Sequence, residues 1–182
     1  PGLEWVMIGH LQSNKAKLVA SFAAEFQALD SLGLAAELDR RLQAAGRTLD
    51  VLVQVNSSGE DSKFGLAPEA VPGFARELTA FDALRVRGLM TLALASTDHE
   101  QVAACFERVV DVQRRLRDAA LPGQSWDELS MGMSGDFELA VAHGATVVRI
   151  GTAIFGARAQ AGYGQRAARE ITAMPARIAN PR

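Results

Sequence analysis

Two short clusters of glycine and hydroxyl residues hold the chemistry that this sequence offers. The first is Leu129-Ser-Met-Gly-Met-Ser-Gly-Asp136 and the second is Val148-Arg-Ile-Gly-Thr-Ala-Ile-Phe-Gly156. Ser134 stands where the N-cap of a following helix belongs, so its hydroxyl and the free N–H groups of that first turn are expected to point the same way. Such a helix start attracts anions. In the second cluster Gly151 permits close approach of the backbone to a ligand, and Thr152 adds a hydroxyl and a further N–H. Each cluster alone also reads as ordinary structure, Ser134 as a simple cap and the second cluster as a strand that ends. As a pair they are donor-rich loops that each follow a strand, and the ligand they suit is a phosphate.

Elements that position these loops follow from the hydrophobic pattern. Strands are expected at Trp5–Ile8, Phe26–Leu29, Val51–Val55, Leu84–Met90, Glu128–Gly132 and Thr146–Ile150. Helices are expected over Leu34–Ala45, closed by Gly46, from Pro68 towards Ala80, from the capping box Thr97-Asp-His-Glu100 to Ala120, and from Ser134 to His143, closed by Gly144. Adjacent strands lack hairpin chemistry between them, so the connections are crossovers and the sheet should be parallel. An open doubly wound sheet and a closed (β/α) barrel both satisfy this alternation. Gly132-Met-Ser-Gly135 is not a dinucleotide-binding G-x-G-x-x-G, and no Walker-type loop occurs. In barrels, phosphate sites recur in the loops after the last two strands, where the two clusters fall.

Composition removes several function classes. With 182 residues, 48% of them hydrophobic and 22% charged, the chain can build a buried core and is not a disordered segment. Its net charge of −2 gives no general attraction for nucleic acid or acidic membranes. From Ala161 to Arg182 four arginines face Glu170 alone, which reads as a solvated tail. The single cysteine, Cys105, lies among Val102, Phe106 and Val109 at helical spacing, so it is expected to pack in the core and suits a reducing compartment. There is no membrane-length apolar run and no signal pattern, and the expected location is cytoplasmic. The division expected is a partial barrel over residues 1–160 and a tail over 161–182.

Beyond pattern, Gly9-His-Leu-Gln-Ser-Asn-Lys15, Leu129–Ser134 and Arg149–Gly156 resemble signature segments of the pyridoxal phosphate (PLP) homeostasis proteins. Val55-Asn-Ser-Ser-Gly-Glu-Asp-Ser-Lys-Phe-Gly65 and Arg87-Gly-Leu-Met90 match the intervening strands, and the resemblance covers residues 4–157 in the family's order. It implies an α/β fold, the (β/α)₈ TIM-type barrel of alanine-racemase type, here incomplete with about strands 3–8 present. The same resemblance implies binding of pyridoxal 5′-phosphate and regulation of its supply, with no established reaction. By it, Ser134, Gly151 and Thr152 hold the phosphate, with Met133 beside them, and Arg149 faces the pyridine nitrogen and keeps it unprotonated. Asn56 either lines the same mouth or caps the turn that follows it. His10 and Asn14 follow the first strand here and read first as local hydrogen bonders.

The resemblance also places the PLP-bearing lysine on a strand upstream of this chain, in an N-terminal segment of roughly 60 to 90 residues that would bring the length to that of a barrel. Lys15, Lys17 and Lys63 are the lysines present, and none has the strand-end placement that covalent attachment to the aldehyde requires. Many relatives carry histidine after the tryptophan of the first segment, where this chain has Val6. A racemase of the same fold is the main alternative. It needs a lysine and a tyrosine as opposed bases, and Tyr163 in the tail is the one tyrosine. A sugar-phosphate isomerase would want a catalytic Glu or His at a strand end, and Glu128 and Asp136, near the site, read better as turn and helix-start charges. Expected partners are PLP and the PLP-dependent apoenzymes it serves, with the chain a monomer or weak homodimer.

Overall fold

The computed structural model describes residues 2–60 and 62–156. Six strands, β1 (Val6–Met7), β2 (Glu25–Leu29), β3 (Leu49–Val55), β4 (Leu84–Thr91), β5 (Glu128–Met133) and β6 (Val147–Arg149), fall on the six segments expected. Helices α1 (Ala16–Phe22), α2 (Leu32–Ala44), α3 (Val71–Leu78), α4 (His99–Ala119) and α5 (Phe137–Ala142) connect them, and a short α6 (Thr152–Phe155) follows β6. The expected tail, residues 161–182 with Tyr163, lies outside the described residues.

Every neighbouring strand pair is parallel, and the strands lie side by side in chain order. A doubly wound sheet reverses its order at a switch point, so that alternative is excluded. Curvature shows in one contact. Gln27 on β2 and Ser130 on β5 are three strands apart, about 14 Å in a flat sheet at normal strand spacing. Yet Ser130 Oγ donates to Gln27 Oε1 at 2.6 Å. The sheet therefore curls, with helices outside and a partly polar concave face within: an incomplete (β/α) barrel.

The elements form for local reasons that the packing then completes. Ser31 caps α2 by accepting from Leu34 N at 3.4 Å, and Gly46, at φ +60°, takes the left-handed turn that ends it. Along α4, Val102, Cys105, Phe106, Val109, Val112, Gln113 and Leu116 recur every three or four residues and are all buried. Cys105 is thus a core residue, as its neighbours imply. Gly88 is needed on β4 because a Cβ there would lie 1.9 Å from the Glu128 carbonyl oxygen of β5.

Two of the helix starts that differ from the sequence expectation belong to α4 and α3. Asp98, not Thr97, caps α4, accepting from Glu100 N at 3.0 Å and Gln101 N at 3.4 Å. A carboxylate is the stronger acceptor for these free amides. Helix α3 begins at Val71 rather than Pro68, because the chain first makes a turn in which Ala70 N donates to Ala67 O at 2.9 Å.

The two ends of the sheet differ in chemistry. At the N-terminal ends of the strands, Arg85 pairs with Asp50 at 2.5 Å and Arg87 with Glu128 at 3.7 Å. The glycine and hydroxyl loops lie at the other end, where barrels place their ligand sites. Among the described residues no helix is long and apolar enough to cross a membrane.

Candidate functional site

The loop after β5 and the first turn of α6 meet at Ser134. Its Oγ accepts from Gly151 N and from Ala153 N, each at 3.2 Å. Ser134 therefore does not cap α5, as the sequence suggested. Asp136 holds that N-cap position without a side-chain cap bond, and its Oδ1 instead accepts from Met133 N at 2.5 Å. A long-range partner, the α6 backbone, has taken the hydroxyl that a local reading assigned to α5. Gly132 lets α5 pack closely on β5: at φ +93°, a Cβ there would lie 2.6 Å from Ala140 Cβ of α5.

Arg149, the last residue of β6, turns across the concave face. Its Nη1 donates to Ser130 Oγ at 2.6 Å, and its Nη2 donates to the Thr91 carbonyl at 2.7 Å. Burial pushes the guanidinium down to about 10, and the Asp136 carboxylate opposes that shift. At neutral pH the group stays cationic. The Thr91 hydroxyl donates to Val55 O at 2.8 Å and meets Ser57 Oγ at 2.8 Å, so the end of β4 is locked to the end of β3.

Of the other sequence-predicted residues, Met133 ends β5 and Thr152 starts α6, beside the Ser134 contact, with Met133 40% exposed. Asn56, at the end of β3, is engaged in its own loop. Its Nδ2 donates to Glu60 O at 2.9 Å and its Oδ1 accepts from Gly59 N at 3.2 Å, the turn-capping arrangement. His10 stacks on Phe64 with ring centroids 3.9 Å apart, and Asn14 sits in the short 3₁₀ turn Ser13–Lys15. Glu128 is at the opposite end of β5 from Ser134, which removes it from the site; Asp136 is at the site. Lys63 pairs with Glu60 at 2.6 Å and donates to Ala93 O at 3.0 Å, while Lys15 and Lys17 are exposed.

Thr91 and Ser130, the partners of Arg149, escaped the sequence reading, as did Gln27 behind Ser130. Gln27 carried a signal, being an amide inside the apolar run Phe26–Leu29. A polar side chain buried on a strand needs a partner.

The donor set suits an anion such as a phosphate. Two N–H groups already converge on one oxygen, a hydroxyl stands beside them, and a cation lies at the end of the adjacent strand. The bonds to Ser130 and Thr91 use two of the five N–H donors of a guanidinium.

Known proteins resemble the chain in sequence and in fold. The sequence profile of the alanine racemase N-terminal domain matches residues 3–159. A pyridoxal phosphate homeostasis protein of Haemophilus influenzae is 40% identical over 156 residues, covering 86% of this chain and 65% of that protein. The protein of the same name from Aquifex aeolicus is 38% identical over 159 residues, covering 86% of this chain and 68% of that one. The chain thus spans about two thirds of the length of these curated relatives. Among solved structures, PipY of Synechococcus elongatus with PLP bound superposes at a TM-score of 0.77 with 34% identity, covering 86% of this chain and 72% of that one. An alanine racemase of Clostridium difficile superposes at 0.72 with 17% identity, covering 87% of this chain and 41% of that one, a likeness of fold alone.

Proposed function

The chain belongs to the alanine racemase N-terminal-domain family and, within it, to the pyridoxal phosphate homeostasis proteins, and from that premise we propose that it binds pyridoxal 5′-phosphate and keeps it in supply. The observation that carries this reading is the convergence of Gly151 N and Ala153 N on the Ser134 hydroxyl oxygen. In the proposed complex Ser134, Gly151 and Thr152 hold the phosphate, Arg149 addresses the ring nitrogen, and Met133 and Asn56 border the mouth. When bound, the cofactor supplies an electron-withdrawing ring, and a cationic, donor-only neighbour leaves the ring nitrogen unprotonated and quiet.

The same reading makes the chain a cofactor carrier rather than a catalyst. A two-base racemisation needs opposed acid and base groups at the reacting carbon. Lys63 is held by Glu60 and Ala93, and Lys15 and Lys17 lie exposed around the 3₁₀ turn. The partners are PLP-dependent apoenzymes that accept the released cofactor.

A transfer experiment tests this. The chain is loaded with PLP, desalted and mixed with an apoenzyme that requires PLP. Recovery of the apoenzyme's activity, with no racemisation of added L-alanine, is the expected result. Racemisation by the loaded chain alone would contradict the carrier reading. Borohydride reduction followed by intact mass should show no pyridoxyl group added to this chain.

A further inference from the structure

The hydrogen-bond chain behind Arg149 has a direction set by what each group is able to donate. A guanidinium has no acceptor, so Ser130 Oγ accepts from Arg149 and turns its own hydrogen elsewhere. That hydrogen goes to Gln27 Oε1, 2.6 Å away. The contact fixes which way the Gln27 amide faces, and its Nε2 donates to Glu25 Oε1 at 2.5 Å. Donors thus run one way, from Arg149 on β6 through Ser130 on β5 to Gln27 and Glu25 on β2, from a cation to a carboxylate.

Both intermediates are deeply buried, Gln27 at 3% and Ser130 at 0% exposure. Burying an amide on an apolar strand costs free energy that only satisfied hydrogen bonds offset. The second anchor of the guanidinium, the Thr91 carbonyl, comes from β4. Two anchors on different strands set the plane of the guanidinium as well as its position. A hydroxyl that has already donated is also a better acceptor, which tightens its hold on Arg149.

We propose that Gln27 and Ser130 are positioning residues that orient Arg149 so that the site selects a ring with an acceptor nitrogen. This rests on the cofactor reading above. Neither residue touches the ligand; both act through the guanidinium.

The test compares PLP with its 1-deaza analogue, in which C–H replaces the ring nitrogen, by equilibrium titration of the chain. The wild-type chain should bind PLP about tenfold more tightly than the analogue, the effect of one charge-assisted hydrogen bond. Gln27→Met, close in size but without the acceptor, and Ser130→Ala should shrink that ratio to within about twofold, by weakening PLP. Ser130→Thr keeps the hydroxyl and should restore it. The affinity for inorganic phosphate alone should not change in any variant. A ratio that survives in Gln27→Met and Ser130→Ala, or an equal loss of both ligands, overturns the proposal.

A ligand-free measurement separates the two readings. Slowly exchanging Arg149 side-chain N–H resonances should appear in the wild type and broaden away in Gln27→Met and Ser130→Ala. If the wild type binds neither ligand while these resonances behave as stated, the cofactor reading fails and the positioning of Arg149 stands. Resonances unchanged by either substitution overturn the positioning itself.

Discussion

The Arg149 guanidinium meets the Ser130 hydroxyl at 2.6 Å between adjacent strands, and this contact joins the ligand end of the sheet to its buried polar interior. The same guanidinium reaches back to the Thr91 carbonyl at 2.7 Å. A cation held by a hydroxyl and a carbonyl from two strands is fixed in direction, which a flexible surface arginine is not.

Arg149→Lys should therefore not be conservative. An ammonium is a point donor and cannot span both anchors in one plane. PLP affinity should fall about tenfold and stability by about 1–3 kcal/mol, read by titration and by urea melts. The pH dependence has a definite sign. Burial holds Arg149 at about 10, well below its ordinary range, so it is charged through the neutral range and loses its proton first in the folded state. Affinity that depends on Arg149 should be flat from about pH 7 to 9 and fall above about pH 10. Above about pH 10 the unfolded chain binds more protons at this group, so it makes stability rise with pH there, opposite to its effect on affinity.

Ser134→Ala removes the one oxygen on which Gly151 N and Ala153 N converge. Both PLP and inorganic phosphate should bind about tenfold more weakly, with a stability loss of about 1 kcal/mol. Equal affinities in wild type and variant would remove Ser134 from the site.

Glycines on the strands and in the loop after β5 should divide sharply. Gly132→Ala forces a Cβ to 2.6 Å from Ala140 Cβ at a positive φ, and Gly88→Ala forces one to 1.9 Å from the Glu128 oxygen. Each should cost about 3 kcal/mol or more, read by denaturant melts. Gly135, two residues from Met133, has nothing within 4 Å of an added Cβ, so Gly135→Ala should stay within about 0.5 kcal/mol of wild type.

The loop after β3 should act mainly on stability. Asn56 and Lys63 hold it through Glu60 O and Ala93 O. Asn56→Ala and Lys63→Ala should each lower stability by about 1–2 kcal/mol. If Asn56 also borders the ligand, as proposed, its substitution weakens PLP while Lys63→Ala does not, and a paired titration of the two variants separates these roles.

Much of this architecture was legible from local pattern. Val51–Val55 is a β-branched run that ends in Asn-Ser-Ser-Gly, and α4 repeats apolar residues at helical spacing; both signals depend on near neighbours only. The clusters after β5 and β6 were visible because glycines and hydroxyls gather there. Other features were decided at long range. The Ser134 hydroxyl binds the α6 backbone, 17 and 19 residues on. Gln27 meets Ser130 across 103 residues of chain, a contact that exists only once the sheet has curled. Asp98 displaced Thr97 as a cap by one residue, a choice between two suitable acceptors that spacing does not settle.

The central claim is that Ser134, Gly151 and Thr152 hold the phosphate of PLP, and one titration addresses it most directly. The chain is titrated with PLP and, separately, with pyridoxal, which lacks the phosphate. The account predicts saturable PLP binding that inorganic phosphate displaces, with pyridoxal at least about a hundredfold weaker. PLP and pyridoxal binding with equal affinity, or PLP failing to saturate, would contradict it.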